Sequence, residues 1–192
     1  MDINTKVNSC KSEFTNLMTK EIAIHKDLYA IQTGVFDSCG FKYSLAIAEP
    51  ESTEYGACSF ELNNLSVRFR VSKITPTKIG QFVTLWKRTG KGPIEPFDMV
   101  DDLDLVIISA MHEANFGQFI FPKSVLIEKG ILSIKGKGGK RAIRVYPPWD
   151  IAINKQAQKT QQWQLNYFLD LSDAKEIDLV KAKMLFIQKK IV

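Results

Sequence analysis

Residues 55–88 read YGACSFELNNLSVRFRVSKITPTKIGQFVTLWKR, and the strand register written into this stretch decides the architecture of the chain. Asn63-Asn64 is a two-residue turn of a kind that tolerates positive φ, with alternating apolar positions on both sides, so the flanking segments pair as an antiparallel hairpin. Setting Leu62 against Leu65 fixes every other pair, because side chains alternate faces with a period of two. Cys58 then faces Phe69 and Phe60 faces Val67 on the apolar side, while Ala57 meets Arg70, Ser59 meets Arg68 and Glu61 meets Ser66 on the other. Arg68 and Arg70 are thereby aimed away from the hairpin's own hydrophobic layer. At the open end the register brings Glu54 opposite Lys73. Beyond it, Thr75-Pro76 reads as a helix start, with Ile79, Phe82, Val83 and Trp86 at helical spacing, Lys87-Arg88 at a C-terminus that favours cations, and Gly90 and Gly92 releasing the chain.

Outward from this segment, residues 12–31 carry Phe14, Leu17, Met18, Ile22, Leu28, Tyr29 and Ile31 at the three-and-four spacing of a helix, which Gly34 should stop. Residues 41–48 (FKYSLAIA) read as a strand, and the unbroken apolar run at 103–109 (LDLVIIS) suits a strand in the middle of a sheet. A short strand at 117–121, a helix at 122–129, a strand at 141–146 and helices near 155–169 and 173–188 follow. The order through Ser109 is helix, strand, strand, strand, helix, strand. That order resembles the restriction-endonuclease-like core (αβββαβ), an α/β arrangement with a mixed sheet and flanking helices, here extended by C-terminal strands and helices. One domain over residues 1–192 is expected.

In active endonuclease-like proteins, an acidic residue at the start of the second strand and an E-x-K or D-x-K at the end of the third hold a divalent metal that activates water. Here those positions are Glu54 and Val71-Ser72-Lys73. Valine offers no oxygen to offset the dehydration of Mg²⁺, so Glu54 and Lys73 are weak catalytic candidates and read more simply as an ion pair. Asp98, Asp101, Asp102 and Asp104 read as solvated carboxylates at a strand entrance. His25 and His112 have no second histidine at ligand or base spacing. No metal and no cofactor is expected.

The net charge of +5 conceals a segregation. Residues 55–92 hold seven basic and one acidic residue, 93–116 hold none and six, and 117–163 hold nine and two. Two basic blocks around one acidic block imply a positive face suited to phosphates, nucleic acid or another polyanion. The residues expected to form it are Arg68, Arg70, Lys73 and Lys78, with Lys140, Arg141 and Arg144 beside the loop GKGKGGK. Gln81, Gln118, Tyr146, Trp149 and Trp163 could instead line a pocket. Cys10, Cys39 and Cys58 are odd in number and widely spaced, which argues against a disulfide framework or a zinc site. No apolar run approaches the ~18 residues of a membrane span, and the first residues lack a secretion signal, so a cytoplasmic protein without membrane contact is expected.

The strings EYGACSF, VSKITPTKIGQFVTLWKR, FGQFIFPKSVLIEKGIL, KRAIRVYPPWD and NKQAQKTQQWQLNYFL resemble the MepB family over residues 54–169. The resemblance implies a bacterial protein of endonuclease-like topology whose family lacks a complete nuclease signature, in keeping with Val71. These readings lead to a degenerate nuclease-like module that binds nucleic acid or another polyanion. A small-molecule or nucleotide-binding protein or enzyme with an Arg/Gln/Trp pocket, and a protein-interaction domain, are the alternatives.

Overall fold

The computed structural model describes residues 24–188. Helix α1 (Lys26–Ile31) runs on through a π turn (Gln32–Phe36) and a last turn (Asp37–Cys39). The strands β1 (Ile47–Ala48), β2 (Cys58–Leu62), β3 (Leu65–Val71), β4 (Lys73–Thr75), β5 (Lys78–Thr84), β6 (Trp86–Arg88), β7 (Ile94–Pro96), β8 (Leu105–His112) and β9 (Asn115–Pro122) follow. The chain continues with α2 (Lys123–Glu128), β10 (Ser133–Ile134), β11 (Lys137–Gly138), β12 (Ala142–Val145), α3 (Lys155–Gln164), β13 (Phe168–Asp170) and α4 (Leu179–Phe186).

The main sheet has the order β1-β2-β3-β8-β9-β13, antiparallel except for the parallel pair β3 and β8. The β2–β3 hairpin has the register expected from Asn63-Asn64: Leu62 faces Leu65, Phe60 faces Val67 and Cys58 faces Phe69. Both turn residues sit at positive φ, 48° and 66°. Alternation along β8 divides the core in two. Leu105 and Ile107 join Phe60, Val67, Phe69, α1 and α4 on one face, while Val106, Ile108 and Ala110 face Val83, Leu85, Ile143 and Val145 on the other. β8 is buried on both sides, as its unbroken apolar run predicts. The fold is therefore mixed α/β, a mixed sheet with flanking helices.

Three local expectations are corrected. The segment after Thr75 is not a helix: β4 and β5 form a hairpin, and β5 pairs with β12 in a second sheet of order β12-β5-β4. A parallel β3-to-β8 connection must cover the sheet it crosses, and here strands supply that cover in place of a helix. Ile79, Val83 and Thr84 are β-branched and suit this, and Gly80, at φ 82°, could not sit in a helix. α1 does not stop at Gly34 but at Gly40, which takes the left-handed conformation (φ 71°). Gly34 instead gives room to Ile177, whose side chain would lie 3.4 Å from a Cβ at that position. The strand expected at 41–48 is reduced to Ile47–Ala48 and an isolated bridge between Tyr43 and Leu62. Residues 12–23 of the first expected helix, and Cys10, lie outside the described residues.

Gly80 marks the place where the second sheet meets the segment after β12: a Cβ there would come within 2.5 Å of the Tyr146 ring. Replacing it with alanine adds that clash to the ~1–2 kcal/mol cost of a left-handed non-glycine residue. Gly80→Ala should therefore lower unfolding stability by about 2–4 kcal/mol, read as a shift of the urea midpoint at unchanged slope.

Candidate functional site

The basic residues named from the hairpin are drawn into the fold. Arg70 is only 1% exposed; its guanidinium donates to Glu49 and, over 2.8 Å, to the Phe69 carbonyl. Arg68 lies 3.4 Å from the same Glu49 carboxylate, donates to the Asp102 carbonyl at 3.1 Å and stands over the Phe97 ring. Burial pulls the Arg70 pKa down, and the Glu49 carboxylate opposes that. The charge of both arginines is answered inside the molecule by Glu49. Lys73 is also paired, 3.0 Å from Glu54 and over the Tyr55 ring at 4.4 Å, in an open setting where the two side chains are 41% and 68% exposed. Val71 contributes a half-buried alkyl group beside this pair.

Several other acidic residues are likewise occupied. Asp101 pairs with Lys87, Glu51 with Arg88, and Asp104 accepts from the Ser66 amide. Asp98 accepts from the Ser133 hydroxyl at 2.6 Å and from the amides of Gly136 and Val100, which hold its carboxyl at about 2, below the usual range. Among the described residues, no three His, Cys, Asp or Glu side chains come together in a position to hold a metal ion. His25 caps α1, its Nδ1 accepting from the Asp27 amide. Cys58 is buried against the hairpin, and burial pushes its thiol up to about 12, so it is protonated at neutral pH.

The remaining cations converge elsewhere. β5 and β12 pair so that Phe82 lies directly opposite Arg144, and both project from the face of the second sheet that turns away from the core. α3 closes the open edge of β12. Gln164, buried at its end, accepts from the Tyr146 amide and donates to the Arg144 carbonyl, each at 2.9 Å, so that one side-chain amide stands in for a neighbouring strand. Between sheet and helix runs a groove of about 680 Å³ lined by Lys78, Lys129, Lys140 and Arg144, by Phe82, Tyr146 and Trp163, and by Asn154, Gln156, Thr160 and Gln164. Among the described residues no carboxylate lines it, although Lys129 pairs with Glu128 at 2.8 Å. Beyond Trp163 a shallower depression of about 400 Å³ adds Lys155 and Lys159.

Arg144 is the best-fixed cation of the groove. It donates to the Gly80 carbonyl at 2.7 Å and to the Thr75 hydroxyl at 2.8 Å, with its guanidinium 5.8 Å from the Phe82 ring centre. None of these partners carries charge, so the geometry is locked while the charge is left unneutralised. Trp163 packs at a tilt against Phe121 and edge-on to Tyr167, with the Lys129 ammonium 5.6 Å from its ring centre.

Of the expected polyanion residues, the structure thus brings Lys78, Lys140 and Arg144 together, places Arg141 exposed beside Lys140, and sends Arg68, Arg70 and Lys73 elsewhere. The expected pocket group is split. Tyr146 and Trp163 line the groove; Gln81 and Trp149 line a separate cleft; Gln118 lies behind the main sheet, where its amide donates to the Asp27 carbonyl. Sequence reading missed Lys129, Lys155, Lys159, Gln156 and Thr160. A signal was present for some of them: Lys155, Lys159 and Trp163 recur every fourth residue, one face of a helix.

The MepB-like family model matches residues 49–170, and the chain belongs to that family. A crystal structure of MepB is 37% identical, with 67% of this chain and 86% of that chain covered and a TM-score of 0.64. The structure of a bacterial homing endonuclease, I-Ssp6803I, is 16% identical, with 77% of this chain and 92% of that one covered and a TM-score of 0.43. No curated protein matches the chain.

Two stability tests separate the buried ion pair from the exposed one. Glu49→Gln strands the charge of Arg70 and should cost about 3–5 kcal/mol, whereas Glu54→Gln, at an exposed pair, should cost less than about 1 kcal/mol; denaturant midpoints of the two variants measure the contrast. Asp98 gives a pH signature. Its folded pKa lies below the unfolded value of 3.8, so its contribution is complete above that value and is lost as the pH falls toward about 2. The stability difference between the wild type and Ser133→Ala should accordingly be constant above about pH 5 and shrink between about pH 4 and pH 2, read by thermal unfolding across that range.

Proposed function

We propose that the groove between β5, β12 and α3 binds the sugar-phosphate backbone of a single-stranded nucleic acid. The observation that carries this reading is Arg144: a guanidinium fixed by two neutral acceptors, facing a groove with Lys78, Lys140 and a Glu128-paired Lys129 and with no carboxylate among its described lining residues. A charge held in place without a counter-ion costs self-repulsion with its neighbours, and a phosphate entering the groove relieves it while releasing condensed cations. The aromatic lining favours a single strand over a duplex. Trp163 and Tyr146 stand half-buried at the groove wall, where an unpaired base can stack and a base inside a duplex cannot. The paired state of Glu54, Lys73 and Arg70, with Val71 between them, supports binding without metal-dependent cleavage.

The test is a salt titration of single-stranded oligonucleotide binding by fluorescence anisotropy. Contacts from Lys78, Lys140 and Arg144 to about three phosphates should give a slope of log K against log salt of about −2, at roughly −0.7 per phosphate. Arg144→Gln combined with Lys140→Gln should weaken binding at least tenfold and flatten the slope, Trp163→Ala should cost about 1–3 kcal/mol, and Arg68→Gln should leave the slope unchanged. Absence of binding at low salt, or equal slopes for the wild type and the groove double variant, would overturn the reading.

A further inference from the structure

The depression beyond Trp163 is lined by Lys155, Gln156, Lys159, Thr160 and Trp163, all of them on α3. Gln156, Thr160 and Trp163 also line the groove between α3 and the second sheet, so the two hollows meet along a shared wall. Lys155 and Lys159 stand four residues apart on the helix, where like charges repel and weaken it. α3, which reads KQAQKTQQWQ, contains no carboxylate to offset them, and neither lysine has an ion-pair partner among the described residues. The repulsion is relieved by an anion that reaches both ammonium groups from outside the fold.

The helix that carries this pair is fixed to the rest of the molecule. Asn154 caps it by accepting from the Ala157 amide at 2.8 Å, and the Gln158 side chain donates to the Ala152 carbonyl at 3.1 Å. Gln161 donates to the carbonyls of Pro147 and Asp150 at 2.9 and 2.7 Å, and Gln164 joins the end of the helix to β12. These bonds set the backbone of Lys155 and Lys159 in a constant relation to Arg144. Along the axis the two lysines are about 6 Å apart, four residues at about 1.5 Å each. Successive phosphates of an extended single strand can match that separation.

We propose that the groove and the depression form one continuous track, in which a single strand passes over Trp163 and its next two phosphates meet Lys155 and Lys159. The track rests on the groove reading of the proposed function and adds a length to it. With about three phosphates on the groove and about two on α3, a strand of about five nucleotides or more is needed to engage both parts. Trp163 is half-buried in the wall that the two hollows share, so the base that stacks on it belongs to the nucleotide that crosses between them.

The test measures salt dependence by fluorescence anisotropy with a thymidylate decamer and with a trinucleotide bearing a 5′ phosphate. The slope of log K against log salt for the decamer should be about −3.5 on the wild type and about −2, the share of the groove alone, on Lys155→Gln with Lys159→Gln, at roughly −0.7 per phosphate. That variant should bind the decamer at least fivefold more weakly at low salt, and Lys155→Arg with Lys159→Arg should keep the wild-type slope. The trinucleotide, which fills only the groove, should give one slope on the wild type and on the glutamine variant. Each comparison sets two proteins against one ligand, so the additional registers open to a longer strand do not enter. Lys181→Gln with Lys183→Gln removes the same charge from α4, on the far side of the main sheet, and should leave the decamer slope unchanged. Equal decamer slopes for the wild type and the α3 glutamine variant would overturn the track and leave the groove standing. An equal fall in slope for the α4 variant would overturn it as well, because remote charge and not contact would then be at work. Failure of the wild type to bind either ligand at low salt would overturn the groove, and the track with it.

Discussion

The Glu49 carboxylate holds two guanidinium groups, those of Arg70 and Arg68, at the point where β3 lies between β2 and β8. A guanidinium at 1% exposure needs a counter-charge, since the desolvation cost of an isolated ion far exceeds what a marginally stable fold can absorb, and the Arg70 Nε, which has no hydrogen-bond partner among the described residues, makes that charge the more necessary. Phe69 supplies a carbonyl and Glu49 the charge. The pair thereby fastens the segment that follows β1 to the central parallel strand, and the path of the chain on either side follows from it. β1 stays short, Glu51 and Glu54 reach the cations at Arg88 and Lys73, and the chain leaves β3 at Ser72 directly into the second sheet.

That same constraint determines which charges remain for function. The arginines of the hairpin are answered within the main sheet, and Asp98, Asp101 and Asp104 of the acidic block are taken up in turns and pairs. Lys78, Lys140 and Arg144 have no such counter-ion among the described residues, and they meet at the groove. Aromatic residues reach the same place for a separate reason: α3 must bury one edge of Trp163 against Phe121 to dock on the sheet, which leaves its other parts facing the groove.

What was legible in the sequence was what local chemistry determines. Asn63-Asn64 fixed the hairpin register to the residue, and the uninterrupted run around Ile107 gave the central strand, because both depend on side chains within a few positions of each other. The segment after Thr75 misled because Ile79, Phe82, Val83 and Trp86 satisfy a helical period, whereas its strand identity comes from pairing with β12, about sixty residues away. Arg70 misled for a related reason. Its aim away from the hairpin's apolar layer was correct, but a second layer covers that face, and Glu49 comes from outside the hairpin. The groove drew Lys78, Lys140, Arg144, Tyr146 and Trp163 from two separate predicted sets. Their union depends on α3 docking beside β12 through Gln164, a contact with no local signature.

Gln164 and Gln161 occupy neighbouring turns of α3, and each spends its side-chain amide on backbone that a regular neighbour strand would otherwise satisfy. Gln164 completes β12 beneath the basic groove, and Gln161 ties down the segment bearing Trp149 and Asp150. One helix therefore fixes both the wall of the groove and the segment that follows β12. Tyr146 lies between them with its ring against Gly80, and Gly80 in turn offers its carbonyl to Arg144. A single glycine, free of any side chain, is thus the point at which the best-fixed cation of the groove and the segment after β12 are held to a common frame.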